Sequence, residues 1–149
     1  MSHLAIYLFG GFRVELGGQP LSCFGTDKNR ALLAYLGLEA ERPHRREALA
    51  NLLWCEHAET VARRSLRQAL YQLRHVLPQL EEKPHLLISA NEVQFNAASD
   101  YWIDVIEFKQ RIARCGLHHP EGVDLCADCL ESLQQCRPRA RSVFHQRAA

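Results

Sequence analysis

Residues 59–77 carry the side chains whose types and spacing suggest the clearest chemistry, and they read ETVARRSLRQALYQLRHVL. The stretch has four arginines, and no acidic residue follows Glu59 in it. Arginine can donate two hydrogen bonds to guanine, glutamine can bond to adenine, and tyrosine can reach phosphates or thymine methyl groups. Because phosphates repel carboxylates, a surface without acids favours contact with a nucleic acid.

A single apolar stripe predicts that this stretch is a helix with two different faces. Leucines recur four, three and four residues apart, at positions 66, 70, 73 and 77, which is the spacing of one helical face. On a helical wheel, the opposite side and its flanks carry Arg64, Arg67, Gln68, Tyr71, Gln72, Arg74 and His75. Exposed arginines are also common on helices that contact only solvent. The predicted neighbouring elements are therefore needed to distinguish a DNA-binding helix from an ordinary surface helix.

The neighbouring segments predict strands and helices in a specific order. Alternating apolar runs separated by glycine pairs favour short strands, and a run around a two-residue turn favours a hairpin. In chain order the predicted elements are strands over 4–9, 12–16 and 19–23, a helix capped by Thr26, helices over 44–54 and about 60–77, and a hairpin over 86–95. This is the order of an α+β winged helix-turn-helix, whose last helix lies in the major groove of DNA.

The chain beyond residue 97 differs in charge and pattern. The net charge is +1, but residues 41–77 have seven arginines and four glutamates, whereas residues 98–135 have seven acids and three bases. Ser99 or Asp100 is the expected cap of a helix that includes Trp102, and residues 122–136 predict a second helix. The last 14 residues have four arginines and no acid. We therefore expect a pair of helices followed by a basic, disordered tail.

Composition and motifs limit the class of protein. Apolar residues make up 47% and charged residues 23% of the 149 residues, an ordinary balance for a folded chain. No run is long enough to span a membrane, and the N-terminus resembles a strand rather than a signal peptide, so a cytoplasmic protein is expected. The sequence lacks the common nucleotide-binding, zinc-protease and serine-hydrolase motifs, and we predict that the protein is not an enzyme. Cys23 and Cys55 are expected to be buried.

A known family shares three segments with this chain. They are LFGGFRVELGGQPL, REALANLLW and ARRSLRQALYQLRHVL, within about residues 3–97. Here the chain resembles the winged-helix domain of the Streptomyces antibiotic regulatory protein family, which is of the OmpR/PhoB type. The resemblance implies sequence-specific binding of double-stranded promoter DNA, usually at direct repeats, and a homodimer on that DNA. It also implies that RNA polymerase contacts the loop over 55–59.

The resemblance and the helical wheel together give a set of expected DNA contacts. The positions that match the family's recognition helix are Arg63, Arg64, Arg67, Gln68, Tyr71 and Arg74. The wheel adds Gln72 on the same side. Arg45 and Arg46, near the start of the second helix, are expected to hold phosphates, and Ser89 and Asn91 lie at the tip of the hairpin, or wing. No cofactor is required for this binding.

Residues 99–135 resemble the opening of the family's second module, the all-helical bacterial transcriptional activator domain, which is similar to tetratricopeptide repeats. The segment SDYWIDVIEFKQRI matches its first helix, and the further helices of that module are expected to be missing. We therefore expect a DNA-binding domain over 1–97, a partial helical domain over 98–135 and a tail over 136–149. The alternative is a zinc-stabilised or protein-interaction module of a truncated regulator that cannot activate transcription.

Four cysteines and two histidines crowd together near the C-terminus. Cys126 and Cys129 have the C-x2-C spacing of a zinc knuckle, and Cys115 with His118 or the next histidine completes a set of four ligands. Two other interpretations stay open. The cysteines are plain thiols that pack in the helices, or they form a redox pair, which would favour a strand-to-helix junction that the sequence does not predict here.

Overall fold

A computed structural model describes residues 3–77, 82–118 and 126–135 of the protein. In chain order its elements are β1 (Leu4–Tyr7), β2 (Arg13–Leu16), β3 (Gln19–Leu21), α1 (Asp27–Leu38), β4 (His44–Arg45), α2 (Arg46–Leu53), α3 (Glu59–Val76), β5 (Leu86–Ile88), β6 (Glu92–Phe95), β7 (Tyr101–Ile103), α4 (Asp104–His118) and α5 (Ala127–Gln134). One sheet has the strand order β3-β2-β1-β7, and the other has the order β4-β6-β5. The predicted α+β class is confirmed. The expected tail over 136–149 lies outside the described residues.

The N-terminal sheet contains two successive hairpins. β1 pairs antiparallel with β2, and β2 pairs antiparallel with β3, as the glycine pairs predict. Gly17 and Gly18 connect β2 to β3 with φ angles of 57° and 79°. Two positive φ angles define a type I′ turn, and glycine adopts them without the strain that a Cβ atom would introduce. The three predicted strands are confirmed, although each is one or two residues shorter than expected.

The hydrophobic core contains helices α1, α2 and α3 and the inner side chains of the sheets. The predicted leucine stripe of α3 is buried, with exposed fractions of 3% or less. It joins one cluster with residues of α1 and α2: Leu32, Leu33, Leu36, Leu49, Leu66, Leu70, Leu73 and Leu77. Because each buried leucine contributes about 1.5–3 kcal/mol, the stripe determines which face of α3 is turned outward. Cys23 and Cys55, expected to be buried, are exposed, because they lie in connections between elements.

Helix α1 begins at its predicted cap and runs close to the N-terminal sheet. The Thr26 hydroxyl oxygen accepts a hydrogen bond from the Asn29 backbone N–H at 3.3 Å. Near the end of the helix, a Cβ atom on Gly37 would lie 2.8 Å from Cδ1 of Ile103 in β7. The helix therefore uses glycine here, although glycine costs about 1 kcal/mol in a helix interior, because it allows α1 to approach β7.

The second helix begins two residues later than predicted. His44 and Arg45, expected to be helical, form strand β4 and pair antiparallel with β6. The Arg46 backbone N–H also donates to the Asn91 carbonyl oxygen at 2.9 Å. These hydrogen bonds form because the hairpin of β5 and β6 returns beside this segment, and nothing in the local sequence indicates that pairing. As a result, α2 starts directly against the hairpin turn.

Residues 101–103 form strand β7, and the prediction of a helix capped by Ser99 or Asp100 is wrong there. β7 pairs parallel with β1, and Ile6 lies opposite Ile103. Two aromatic residues followed by isoleucine favour an extended strand, and the open edge of β1 supplies the partner. The segment beyond residue 97 therefore contributes a strand to the N-terminal sheet.

Asp104, the first residue of α4, is hydrogen-bonded to the end of β1 in the same sheet. Its fully buried carboxylate accepts hydrogen bonds from the backbone N–H groups of Leu8 at 2.9 Å and Phe9 at 3.0 Å, just after β1. It also accepts from the Val105 N–H at 2.7 Å, in the first turn of α4. The ring of Phe9 meets that of Phe108 edge to face, with centroids 5.4 Å apart. These contacts leave no free linker between β7 and α4.

Helices α4 and α5 form the predicted pair. Arg111 of α4 donates from Nη1 to the carbonyl oxygen of Ser132 at 2.7 Å and to its hydroxyl oxygen at 2.8 Å. The Glu107 carboxylate, 2.7 Å from Arg111 Nε, holds the guanidinium in place. α4 continues to His118, so residues 116–118, expected in a loop, are helical. The connection over 119–125 lies outside the described residues.

Candidate nucleic-acid interface

Helix α3 presents a basic surface opposite its apolar stripe. From Thr60 to Val76 it has four arginines and no acidic residue. Six of the seven side chains expected to face outward are exposed, and Tyr71 is 63% exposed. The six are Arg64, Arg67, Gln68, Tyr71, Arg74 and His75, whereas Gln72 is half-buried. Their exposure follows from the burial of the stripe, because a helix that docks one side must present the other.

A cleft beside α3 is lined by most of the other residues predicted to contact DNA. It lies between the start of α2, the first half of α3 and the hairpin turn, and has a volume of about 720 Å³. The predicted residues that line it are Arg45, Arg46, Arg63, Arg67, Ser89 and Asn91. The sequence places these residues up to 46 positions apart, and the pairing of β4 with β6 brings them together. Two acids, Glu47 and Glu92, also line the cleft.

The start of α2 gives the cleft a preference for anions. No side chain caps this end of the helix. Free backbone N–H groups and the helix dipole both favour negative charge at a helix N-terminus. Nε of Arg46 is buried and has no hydrogen-bond partner among the residues that the structure describes. A phosphate in the cleft would lie near the positive charge of the Arg46 guanidinium and near the start of α2.

Arg63 differs from its neighbour Arg64 because two carboxylates hold it. Its Nη2 atom lies 2.7 Å from Oε1 of Glu47 in α2 and 2.5 Å from Oε1 of Glu59. All three side chains are at least half exposed, so each ion pair contributes about 1 kcal/mol or less to stability. The pairs act mainly on the local charge, because they surround Arg63 with two negative groups. The sequence did not indicate this, since Glu47 belongs to another helix.

Gln72 is half-buried and is hydrogen-bonded to α1. The Asn29 side-chain amide donates to the Gln72 side-chain oxygen and, at 2.6 Å, to the Phe24 carbonyl oxygen. Gly25, with φ of 78°, lies against the same glutamine oxygen, and a Cβ atom there would be 2.7 Å from it. These contacts fix how α3 is rotated relative to the start of α1. Base contact by Gln72 stays a prediction, and its oxygen already has a partner.

The hairpin turn is closed by its own hydrogen bonds. The Ser89 hydroxyl oxygen accepts from the Glu92 backbone N–H at 3.0 Å, and the Ser89 N–H donates to the Glu92 carbonyl oxygen at 2.9 Å. The side chain of Asn91 is exposed, while its carbonyl oxygen accepts from Arg46. Ser89 therefore shapes the turn, and Asn91 is the residue whose side chain is presented.

The C-terminal half of α3 ends in an exposed pair of rings. The rings of Tyr71 and His75 have centroids 4.2 Å apart, and His75 Nδ1 lies 2.9 Å from the Tyr71 carbonyl oxygen. A second cleft, of about 500 Å³, separates this pair from the segment between β3 and α1. The two rings therefore contact each other on the exposed surface of the helix.

The connection between α2 and α3 is anchored at one side and exposed at the other. Trp54 is buried, and Nζ of Lys28 lies 5.7 Å from the centre of its ring. Lys28 also donates to the Glu56 carboxylate, and this hydrogen bond is the main reason that the pKa of Glu56 falls to about 2. The side chains of Cys55 and His57 are exposed. The loop thus has a fixed position and a solvent-facing surface.

The predicted metal ligands lie on the facing helices α4 and α5. Cys115 and Cys129 are buried, and Cys126 is the N-cap residue of α5. Hydrogen bonds with the thiols of Cys115 and Cys126 raise the pKa of Cys129 to about 12. His118 ends α4, and its side chain lies outside what the structure describes. Among the described residues, no group of three or more His, Cys, Asp or Glu side chains is placed so as to hold a metal ion.

The order of elements and the basic helix define the class of protein as a winged-helix DNA-binding protein. The chain belongs to the family described as "Transcriptional regulatory protein, C terminal", whose model matches residues 19–93. The match runs from β3 into β6 and includes the whole of α3. Members of this family are transcriptional regulators, a class that is not typically enzymatic. The chain therefore contains the DNA-binding domain of this family of transcriptional regulators.

A solved structure supports the same assignment over more of the chain. The structure described as Mycobacterium tuberculosis EmbR in complex with low affinity phosphopeptide is similar, with a TM-score of 0.67 and 25% sequence identity. The alignment covers 91% of this chain and 34% of EmbR, so the chain spans about a third of that protein's length. The predicted likeness to the Streptomyces antibiotic regulatory protein fold is confirmed. No curated protein matches the sequence, and no helix in the described ranges is long and apolar enough to cross a membrane.

Proposed function

We propose that the protein binds double-stranded promoter DNA with α3 in the major groove and with the wing, the hairpin of β5 and β6, beside the adjacent minor groove. The observation that carries this proposal is the acid-free exposed surface of α3 opposite its buried leucine stripe. A major groove about 12 Å wide admits an α-helix. After Glu59 this helix has no carboxylate that would repel the phosphates on either side of the groove.

Base recognition is assigned to three residues in a row on α3. Arg64 and Gln68 are one helical turn apart, and Tyr71 follows three residues later, so the three side chains lie along one side of the helix. All three are exposed. In this arrangement Arg64 donates two hydrogen bonds to a guanine, and Gln68 bonds to an adenine through both its amide groups. Tyr71 packs against a thymine methyl group or donates to a phosphate.

Phosphate contact is assigned to the arginines at the edges of this row. Arg67 and Arg74 flank it on α3, and Arg45 and Arg46 lie across the cleft at the start of α2. Each phosphate that such a cation neutralises releases counterions, so binding should weaken with rising salt. Asn91 at the wing tip adds a neutral donor. These contacts position the helix and carry little sequence information.

Arg63, Gln72 and Ser89 are assigned indirect roles. Arg63 is paired with Glu47 and Glu59, so it adjusts the charge of the cleft more than it supplies a free cation. Gln72 holds the rotation of α3 through its hydrogen bond with Asn29. Ser89 closes the wing turn. Substitution of these residues should therefore change stability or charge, and should leave base preference largely intact.

Two further proposals rest on the family resemblance. Regulators of this kind usually bind direct repeats, so we propose that two copies of the chain occupy neighbouring sites as a homodimer on DNA. The loop over 55–59 is the proposed contact for RNA polymerase. Its exposed side chains, Cys55 and His57, and its fixed anchoring through Trp54 are compatible with a surface that presents one shape to a partner.

The direct test is DNA binding across a salt series. A duplex selected from a random library by the wild-type protein serves as probe, and Arg64→Ala with Gln68→Ala is the test variant. Each base contact is worth about 1–3 kcal/mol, so the double variant should lose at least tenfold in affinity and should discriminate less between the selected duplex and a scrambled one. Lys109→Ala with Gln110→Ala, the same kinds of side chain at exposed positions of α4, is the matched control and should bind like the wild type.

The outcomes separate the candidate functions. If the folded wild-type protein selects no duplex, or binds DNA without any dependence on salt, the proposal is wrong. The alternative of a protein-interaction module would then account for the chain. If the test and control variants weaken binding equally, α3 is not the reading helix.

A further inference from the structure

His75 lies in the last turn of α3, in line with the three residues to which base recognition is assigned. Together with Arg64, Gln68 and Tyr71 it forms a row whose members are four, three and four residues apart, the spacing of the buried leucine stripe. Each member comes two residues before a leucine of that stripe, and two residues correspond to about 200° around a helix. The row is therefore opposite the stripe along its whole length, and all four of its side chains are exposed.

One hydrogen bond determines which nitrogen of the neutral His75 ring has the proton. Nδ1 lies 2.9 Å from the Tyr71 carbonyl oxygen. Because a carbonyl oxygen has no hydrogen to donate, Nδ1 is the donor. Nε2 of the neutral ring is then an acceptor, and only the charged ring has an N–H group there. A phosphate oxygen, which is itself an acceptor, can therefore bond to Nε2 only when the ring is charged.

The surroundings of His75 supply positive charge and no carboxylate. The ring lines the cleft of about 500 Å³ between α3 and the connection from β3 to α1. Cys23 and Tyr71 are the other titratable side chains of this cleft, and none of the described residues that line it is acidic. Arg74, the preceding residue of α3, is a second basic side chain in the last turn. A DNA phosphate would thus supply the anion that a charged ring lacks in this cleft.

We propose that His75 contacts a DNA phosphate and takes up a proton when DNA binds. A proton from solvent adds to Nε2, and the resulting imidazolium donates a hydrogen bond to a phosphate oxygen. The ring of Tyr71, whose centroid is 4.2 Å from that of His75, is within the distance of about 6 Å at which an aromatic face attracts a cation. This proposal rests on the placement of α3 in the major groove.

The length of the row favours a phosphate over a base as the partner of His75. The cleft lined by Arg45 and Arg46 lies at the first half of α3 and is assigned to the phosphates on one side of the groove. Arg64 and His75 are 11 residues apart, or about 16 Å along the helix axis, whereas the major groove is about 12 Å wide. The last member of the row therefore reaches the opposite side of the groove, where the second strand has its phosphates.

Binding to the selected duplex at about pH 6 and about pH 8 tests the proposal, because imidazole changes its charge within this range. The wild type should bind roughly fivefold more tightly at the lower pH, which is the effect of about one pair of charges 4 Å apart in water. The slope of its log affinity against log salt should also be more negative by about 0.9 at the lower pH, because one more phosphate is neutralised.

Two variants of His75 and one control separate the charge of this ring from other effects of pH. His75→Gln should bind at both pH values as the wild type does at the higher one, and His75→Lys, which has a fixed charge, as the wild type does at the lower one. His3→Gln is the matched control, since it removes an exposed histidine beside Asp100 at the N-terminal sheet, and it should keep the pH dependence of the wild type.

The outcomes distinguish this inference from the proposed function. Equal wild-type affinity at the two pH values, or a pH dependence that persists in His75→Gln, overturns the inference, while the Arg64→Ala with Gln68→Ala variant still tests base recognition. His75→Gln should weaken binding to the selected and scrambled duplexes by the same factor, and a loss of discrimination would place the ring on a base and overturn the phosphate contact. A folded wild type that binds no duplex at either pH overturns both proposals.

Discussion

Removing the two carboxylates that hold Arg63 should strengthen DNA binding. Arg63 lies 2.7 Å from Glu47 and 2.5 Å from Glu59, so this group has one positive and two negative charges at neutral pH. Glu47→Gln with Glu59→Gln changes the net charge of the group from −1 to +1 and keeps the size of both side chains. The change occurs at the cleft where we place the phosphates.

The expected gain follows from the charges. Two unit charges about 10 Å apart in water interact by roughly 0.4 kcal/mol, so a change of two charges near a phosphate is worth roughly 0.8 kcal/mol at low salt. This corresponds to about a fourfold gain in affinity. If the released Arg63 neutralises one more phosphate, the slope of log affinity against log salt becomes more negative by about 0.9. The gain should shrink near physiological salt, where the Debye length is about 8 Å.

Fluorescence anisotropy with the selected duplex, measured from low to physiological salt, gives both quantities. Glu15→Gln is the matched control, because it removes the acid of an ion pair with Arg13 in the N-terminal sheet, where the two side chains are 3.6 Å apart. An unchanged affinity and slope in the double variant would show that this end of α3 does not meet DNA. An equal gain per charge in the control would show that only the total charge of the protein matters. Either result refutes the placement of the cleft on the phosphates.

Three further predictions concern the scaffold and its pH dependence. Gly25→Ala should lower the free energy of unfolding in urea by about 1 kcal/mol more than Gly18→Ala does. The backbone strain is the same, because φ is +78° and +79° at the two positions, but only at Gly25 would the new Cβ atom meet a side chain. Equal losses in the two variants would contradict that contact. Asp104→Ala should cost about 2–4 kcal/mol in the same measurement, because the part-buried backbone N–H groups of Leu8 and Phe9 lose their acceptor, and a loss below about 1 kcal/mol would argue against that role. The hydrogen bond from Lys28 is the largest of the causes that lower the pKa of Glu56 from 4.5 to about 2, so the stability from this pair is present above pH 4.5 and is lost as the pH falls toward 2. In Lys28→Met, a carboxyl titration followed by NMR should show the pKa of Glu56 rising toward its ordinary value, and an unchanged midpoint would refute the pairing.

Helix α3 was predictable because its signals are local. Leu66 and Leu73 repeat at helical spacing, and this spacing alone places Arg64 and Gln68 on the opposite side. The hairpins were predictable for the same reason, since Gly17 and its neighbour specify a two-residue turn without reference to distant residues. The exposed row on α3 follows from the leucine spacing, because burial of the stripe turns the opposite side of the helix outward.

The remaining features depend on partners that lie far along the chain. β7 forms because β1, almost 100 residues earlier, has an open edge, and β4 forms because the wing returns beside it. Arg63 differs from Arg64 partly through Glu47, which is on another helix, and the half-buried Gln72 is hydrogen-bonded to Asn29 of α1. A helical wheel treats all outward residues alike. It therefore cannot distinguish a free arginine from one that another element has already neutralised.

The position of β7 argues that α4 belongs structurally with the DNA-binding elements. Without β7, β1 would be an edge strand with unpaired backbone groups. Without Asp104, the N–H groups of Leu8 and Phe9 would lose their acceptor. Ile103 also meets α1 at Gly37, and α1 in turn holds α3 through the hydrogen bond between Asn29 and Gln72. α4 is therefore joined to α3 through the packed sheet and α1, with no linker between β7 and α4.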